Sequence, residues 1–219
     1  MKALVLGCSH AAGSEMEQGP NIPSYATLDE FYAHGRTRSY PVKIAQKLGY
    51  QQVINASIPG GSNDAMFRLF ESTPTDADDL VVACWTGINR SEMFDNDQWV
   101  ALAPGKVVDS GYQDYLKLWL CYSANDPVGR LNKIKNIVAL NSLAQVRKTK
   151  VINIDSFWPV PNFSRYGCWP VEYDFWSWCQ ENNFSKTEWG HFFEDAHQAF
   201  AEFVVDSLQK TQTLDCGDI

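Results

Sequence analysis

Basic residues are in the minority: 18 Lys and Arg stand against 26 Asp and Glu, a net charge of −8 with an isoelectric point near 4.9. That balance argues against the broad attraction to phosphates on which nucleic-acid binders depend, so no nucleic-acid partner is expected. No apolar run approaches the roughly 20 residues that cross a bilayer. The N-terminal apolar run is too short for a signal peptide and lacks a cleavage pattern, so a cytoplasmic location without a membrane partner is expected. The six cysteines, at positions 8, 84, 121, 168, 179 and 216, show no C-x-x-C spacing, which leaves reduced thiols rather than a zinc site or a disulfide frame. Repeats and low-complexity segments are missing too. Gly7-Cys8-Ser9-His10-Ala11-Ala12-Gly13 has the spacing of neither a dinucleotide nor a phosphate-loop fingerprint, so no nucleotide is expected.

What is present is a chain of 219 residues, the size of one domain with a substantial core. Lys2 to Gly7 is mostly apolar and too short for a helix, which reads as a buried parallel strand. A long loop is expected over residues 11–39. Helical pattern follows from Tyr40 to Gly49, with proline in the first turn and glycine at the end. A second strand runs from Gln52 to Ala56, ahead of Gly60-Gly61 and a helix opened by Ser62, with Asp64 in its first turn. The third strand is Leu80 to Trp85. Residues 95–111 read as irregular and 112–122 as a helix. Asp126-Pro127 starts another helix, whose Val128, Leu131, Ile134 and Val138 recur at helical spacing as its apolar face. Val151 to Ile154 is the fourth strand. A last helix carries Phe193, Ala196, Phe200, Phe203 and Val204 on one face, beside His197, which reads as structural.

Strands alternating with helices predict a single α/β domain over residues 1–219: a three-layer α/β/α flavodoxin-like sandwich with a mainly parallel sheet of about five strands. Three strand ends then carry suggestive residues, Ser9, Gly60 and Asn89. In a parallel sheet such ends are neighbours and line the crevice where ligands collect. Cys8, next to Ser9, is an alternative nucleophile, but strand alternation points it to the other face. Each residue also has an ordinary role open to it: Ser9 as a cap, Gly60 as a turn, Asn89 as a loop cap, His191 as a helix-terminal group bound to a carbonyl.

Four short blocks, taken in order, resemble the SGNH hydrolases, the GDSL esterase and lipase superfamily. Gly7-Cys8-Ser9-His10 is similar to the block that carries the nucleophile, with Cys8 in the usual place of Asp. Asn55-Ala56-Ser57-Ile58-Pro59-Gly60 resembles the second block, and Gly87-Ile88-Asn89-Arg90 the third, with Arg90 where the family has Asp. Glu188-Trp189-Gly190-His191 resembles the final Asp-x-x-His, with Glu for Asp. The resemblance implies a serine esterase in which Ser9 attacks, His191 is the general base and Glu188 orients it, with Asp195 as a substitute carboxylate. Ser9, Gly60 and Asn89 would form the oxyanion hole. Neither a cofactor nor a metal is implied.

The segment between the fourth strand and His191, about 155–187, is rich in aromatic residues; five of the eight tryptophans fall between Trp158 and Trp189. Trp158, Trp169 and Trp176 are candidates for contact with the expected partner, a small-molecule or carbohydrate ester substrate, as flat rings that stack on a sugar or line an acyl pocket. The competing reading is a satellite core under a long loop. A small acyl ester, such as an O-acetyl group, is the expected substrate. The alternative, from another class, is a non-catalytic binding or structural protein that keeps the fold. His10 and His34 receive no role, and the oligomeric state is open.

Overall fold

The computed structural model describes residues 1–14, 28–95, 97–102, 115, 117, 126–157, 174–188 and 190–215. The expected helix over 112–122 and the insertion residues Trp158 and Trp169 lie outside them, apart from the helical residues 115 and 117.

Four strands, β1 (Lys2–Leu6), β2 (Gln52–Asn55), β3 (Leu80–Trp85) and β6 (Lys150–Asp155), form one parallel sheet in the order β2-β1-β3-β6. That is four strands among the described residues where about five were expected. The order changes direction at β1, whose neighbours are β2 on one side and β3 on the other. The carboxyl ends of β1 and β3 therefore flank the switch point at which open α/β sheets bind ligands.

Alternation along β1 and β3 divides the core into two layers. Ala3, Val5, Val82 and Cys84 face one side with Ile152 and Ile154, against α3 (Tyr40–Lys47), α6 (Phe175–Glu181) and α7 (Glu194–Asp215). Leu4, Leu6, Val81, Ala83 and Trp85 face the other, against α4 (Asn63–Ser72) and α5 (Asp126–Arg147). A sheet buried on both faces explains why its strands read as continuous apolar runs. Helices on both faces make the three layers that the sequence predicts.

Local signals explain several boundaries. Pro41 sits in the first turn of α3, where its missing N–H costs nothing. Ser62 caps α4, its hydroxyl accepting from the Ala65 N–H at 3.0 Å. Gly7 lets the single turn α1 (Ser9–Ala12) approach β3, since a Cβ there would lie 2.5 Å from Ala11 Cβ and 3.0 Å from Cys84 Cβ.

Three expectations need correction. The 11–39 stretch includes α1 and a helix, α2 (Leu28–Arg38). Residues 91–102 form an antiparallel hairpin, β4 (Ser91–Asp95) with β5 (Gln98–Leu102), where irregular chain was expected from 95 onward. Its cross-strand Phe94 and Trp99 meet at 5.2 Å with their rings tilted by 55°, and both are exposed, so no core pattern announced the strands. The inward face of α5 is also different: Val128, Leu131 and Val138 are exposed, and Lys133, Asn136, Ile137, Leu140 and Ala144 are buried. Periodicity chose the more apolar stripe, but Lys133 can turn inward because Asp155, at the end of β6, receives its ammonium.

Candidate active site

Gly7 follows the end of β1, and Ser9 stands at the start of α1, partly exposed at the carboxyl edge of the sheet. Cys8 is completely buried on the α3 side, beside Tyr40 and Cys84, so the alternative nucleophile faces away from the edge. Loop positions around Ser9 are fixed by two asparagines. Asn55 Nδ2 lies 2.9 Å from both the Ala11 and Arg36 carbonyls, while its Oδ1 accepts from the Ser57 N–H at 3.1 Å. One side chain thus ties the turn of Ser9 to the β2 loop that leads to Gly60. Asn63, at the start of α4, accepts from the Thr86 N–H at 2.9 Å and holds the loop after β3, which carries Asn89. Sequence reading placed Asn55 in a family block and overlooked Asn63; its position next to the Ser62 cap was the available signal.

Gly60 adopts φ +75°, and it, Asn89 and Arg90 are partly exposed. The Ile58 N–H donates to the Gly7 carbonyl at 3.0 Å, which brings the β2 loop against the end of β1.

His191 reaches this edge from the opposite end of the chain. A tight turn carries it: the Gly190 N–H donates to the Thr187 carbonyl at 3.0 Å, the Thr187 N–H to the His191 carbonyl at 2.8 Å, and the His191 N–H to Thr187 Oγ1 at 3.2 Å. Gly190 has φ +86°, and a Cβ there would come within 2.9 Å of the Trp176 ring. Glycine meets both demands. Trp176 is the candidate ring that falls among the described residues. Its partly buried indole supports this turn, packing edge-on to Phe192 at 5.3 Å with Lys186 over its face at 4.6 Å.

The rings of His191 and His10 lie 4.9 Å apart. His10 is only 5% exposed, enclosed by Phe157, Phe175 and Trp176 at 5.5–5.6 Å. Burial, reinforced by His191, His197 and Arg90, holds its pKa well below the usual histidine range, so it is neutral at pH 7. His10 was overlooked in the sequence, where only its place beside Ser9 could have marked it. His197 is buried, as its helical position suggested. Its Nδ1 accepts from the Tyr40 N–H at 3.1 Å, and burial pushes its pKa down to about 3.

The structure does not bring the proposed orienting carboxylates to His191. Glu188 occupies the second position of the Thr187–Gly190 turn, a corner that points to solvent; it is exposed, and among the described residues no hydrogen bond or ion pair engages its carboxylate. Asp195 is exposed in the first turn of α7, its Oδ1 accepting from the Ala196 N–H. Glu194 is committed to Arg38 and Lys43. Nor does a hydrogen bond join the Ser9 hydroxyl to His191 among the described residues. In sites of this kind the hydrogen bond between nucleophile and base often tightens only when substrate binds. No group of three or more His, Cys, Asp or Glu is disposed to hold a metal among the described residues.

A doubly wound sandwich with serine, glycine and asparagine at successive strand ends, and a histidine delivered by the chain before the last helix, is the arrangement of the SGNH hydrolase fold, and this chain adopts that fold. Solved structures show the same likeness. A carbohydrate esterase, described as having divergent catalytic and non-catalytic binding functions, superposes with a TM-score of 0.50 at 10% identity, over 95% of this chain and 68% of that one. Esterase EstA from Pseudoalteromonas sp., inhibited by monoethylphosphonate, gives 0.47 at 12% identity over 99% of both chains. A lipolytic G-D-S-L family member from Veillonella parvula gives 0.45 at 12%, over 97% of this chain and 98% of that one. At such identities the likeness is one of fold. No family model and no curated protein matches the sequence.

Proposed function

We propose that this protein is a serine ester hydrolase of the SGNH superfamily that attacks a small acyl ester through Ser9. The observation that supports it most is the 4.9 Å approach of the His191 ring to His10, the residue next to Ser9, across 181 positions of sequence. In this reading His191 takes the Ser9 proton as the hydroxyl adds to the carbonyl, then returns it to the leaving alcohol. Water repeats the cycle on the acyl-enzyme. The backbone N–H groups of Ser9 and Gly60 and the Asn89 amide receive the oxyanion; one such donor is worth about 3–4 kcal/mol in the barrier. The closed wall of Phe157, Phe175 and Trp176 around His10 favours a short acyl group, such as acetyl, with a carbohydrate as a fitting alcohol.

A second reading, a binding protein that keeps the fold, draws on Glu188 being solvated and on the missing Ser9–His191 hydrogen bond. Labelling with a fluorophosphonate separates the two. A single adduct mapped to Ser9, absent in Ser9→Ala and much slower in His191→Ala, is the expected result. Folded protein that takes no adduct and cleaves no acetyl ester would favour the binding reading.

A further inference from the structure

Among the described residues, two buried nitrogens flank the candidate nucleophile and oxyanion residues without a hydrogen-bond partner: Nδ1 of His10, directly after Ser9, and Nη1 of Arg90, directly after Asn89. A buried donor left unpaired is costly, and native proteins seldom leave one except where something else completes it. Phe157 places the two together, its ring centroid 5.5 Å from that of His10 and 5.2 Å from the Arg90 guanidinium.

Among the described residues, no hydrogen bond or ion pair joins Arg90 to an acidic side chain. Of the acidic residues that line a cleft with Arg90, Asp64 accepts from Asn132 and Asn136, Glu92 forms a two-pronged pair with Arg68, and Glu71 is exposed to solvent. A protein of net charge −8 thus keeps, among its described residues, a guanidinium nitrogen without a hydrogen-bond partner on the same ring as His10, the residue after the partly exposed Ser9. Such a local reversal of sign draws in anions and repels cations.

We infer that Arg90 and His10 hold an anionic group of the substrate beside Ser9, making the site selective for esters that carry a carboxylate or a similar anion close to the scissile bond. The Arg90 fork supplies the charge-assisted hydrogen bonds, and a neutral His10 donates from Nδ1. The inference rests on the ester-hydrolase reading for its substrate, although the anion site itself does not need catalysis. Arg90 is then a specificity residue, standing where the resembling family has an acid.

The test compares phenyl acetate with 4-acetoxybenzoate, which carries the anion on the alcohol side, and monophenyl succinate, which carries it on the acyl side. The readout is the ratio of kcat/KM for each anionic ester to that for the neutral one, in wild type, Arg90→Gln and Arg90→Lys, each checked for an unaltered melting transition. We expect the ratio for at least one anionic ester to fall at least tenfold in Arg90→Gln, with partial recovery in Arg90→Lys. A ratio within twofold of wild type for both anionic esters, alongside a fluorophosphonate adduct at Ser9, would overturn the anion site and leave the hydrolase reading standing. No adduct and no turnover would end the hydrolase reading instead. Proton NMR titration with benzoate then decides the site: shifts of the histidine ring signals that vanish in Arg90→Gln support it, and their absence from wild type overturns it.

Discussion

Two polar corners at the carboxyl edge of one sheet are built on opposite terms. At the end of β6, Lys133 and Asp155 are both buried, and the ammonium lies 2.7 Å from each carboxylate oxygen, so the pair satisfies itself. Burial raises Asp155 to about pH 7 even so, with Lys133 pulling the other way. At the ends of β1 and β3, His10 and Arg90 are buried in part or whole yet each keeps a nitrogen unpaired among the described residues, and Ser9 is partly exposed. A closed pair has nothing left to offer a ligand. An open set, surrounded by rings and clamped by Asn55 and Asn63, has its bonds in reserve. The difference separates groups that hold the fold from groups that await a partner.

The comparison breaks most sharply at Ser9. Ser9→Ala should lower kcat for acetyl esters by about four orders of magnitude, and His191→Ala by about three, with melting temperatures within about 2 °C of wild type. An equal loss of stability would make the open corner structural after all. Lys133→Met should behave in reverse, lowering unfolding free energy by about 3 kcal/mol in urea titrations while leaving the fluorophosphonate labelling rate of folded protein within about twofold. With its counter-charge gone, Asp155 holds its proton to still higher pH, so the destabilisation should grow as pH rises.

Acid should act through the buried histidines. His197 titrates near 6.5 when unfolded and at about 3 when folded. The unfolded chain therefore binds the extra proton between those values, and stability, complete above pH 6.5, falls with pH by up to about 1.4 kcal/mol per unit from this group. His10 adds a loss in the same direction. His197→Asn, which can keep an acceptor for the Tyr40 N–H, should flatten the profile of melting temperature between pH 6.5 and 4. The smallest effect is expected at Glu188: exposed, and without a hydrogen bond or ion pair among the described residues, it should cost less than about fivefold in kcat/KM as Glu188→Gln. A hundredfold loss would show that the turn rearranges to form a full triad.

Much of the scaffold was legible because its signals are local. Pro41, the Ser62 cap and the unbroken apolar runs of β1 and β3 define elements by their own chemistry, and a parallel sheet covered on both faces leaves few other ways to arrange them. The hairpin at 91–102 and the inward face of α5 were not legible. Exposed Phe94 and Trp99 mimic loop aromatics, and a lysine faces inward on α5 only because Asp155 lies at the far end of another element.

By itself the sequence determined the layer order of the fold and brought Ser9, Gly60 and Asn89 to adjacent strand ends, since strand register and chain order suffice for that. Tertiary structure alone decided that Glu188 sits on a turn corner, that His10 lies against His191, and that Arg90 shares Phe157 with His10. Those outcomes depend on side-chain direction and on contacts between residues as many as 181 positions apart, where no local periodicity carries information.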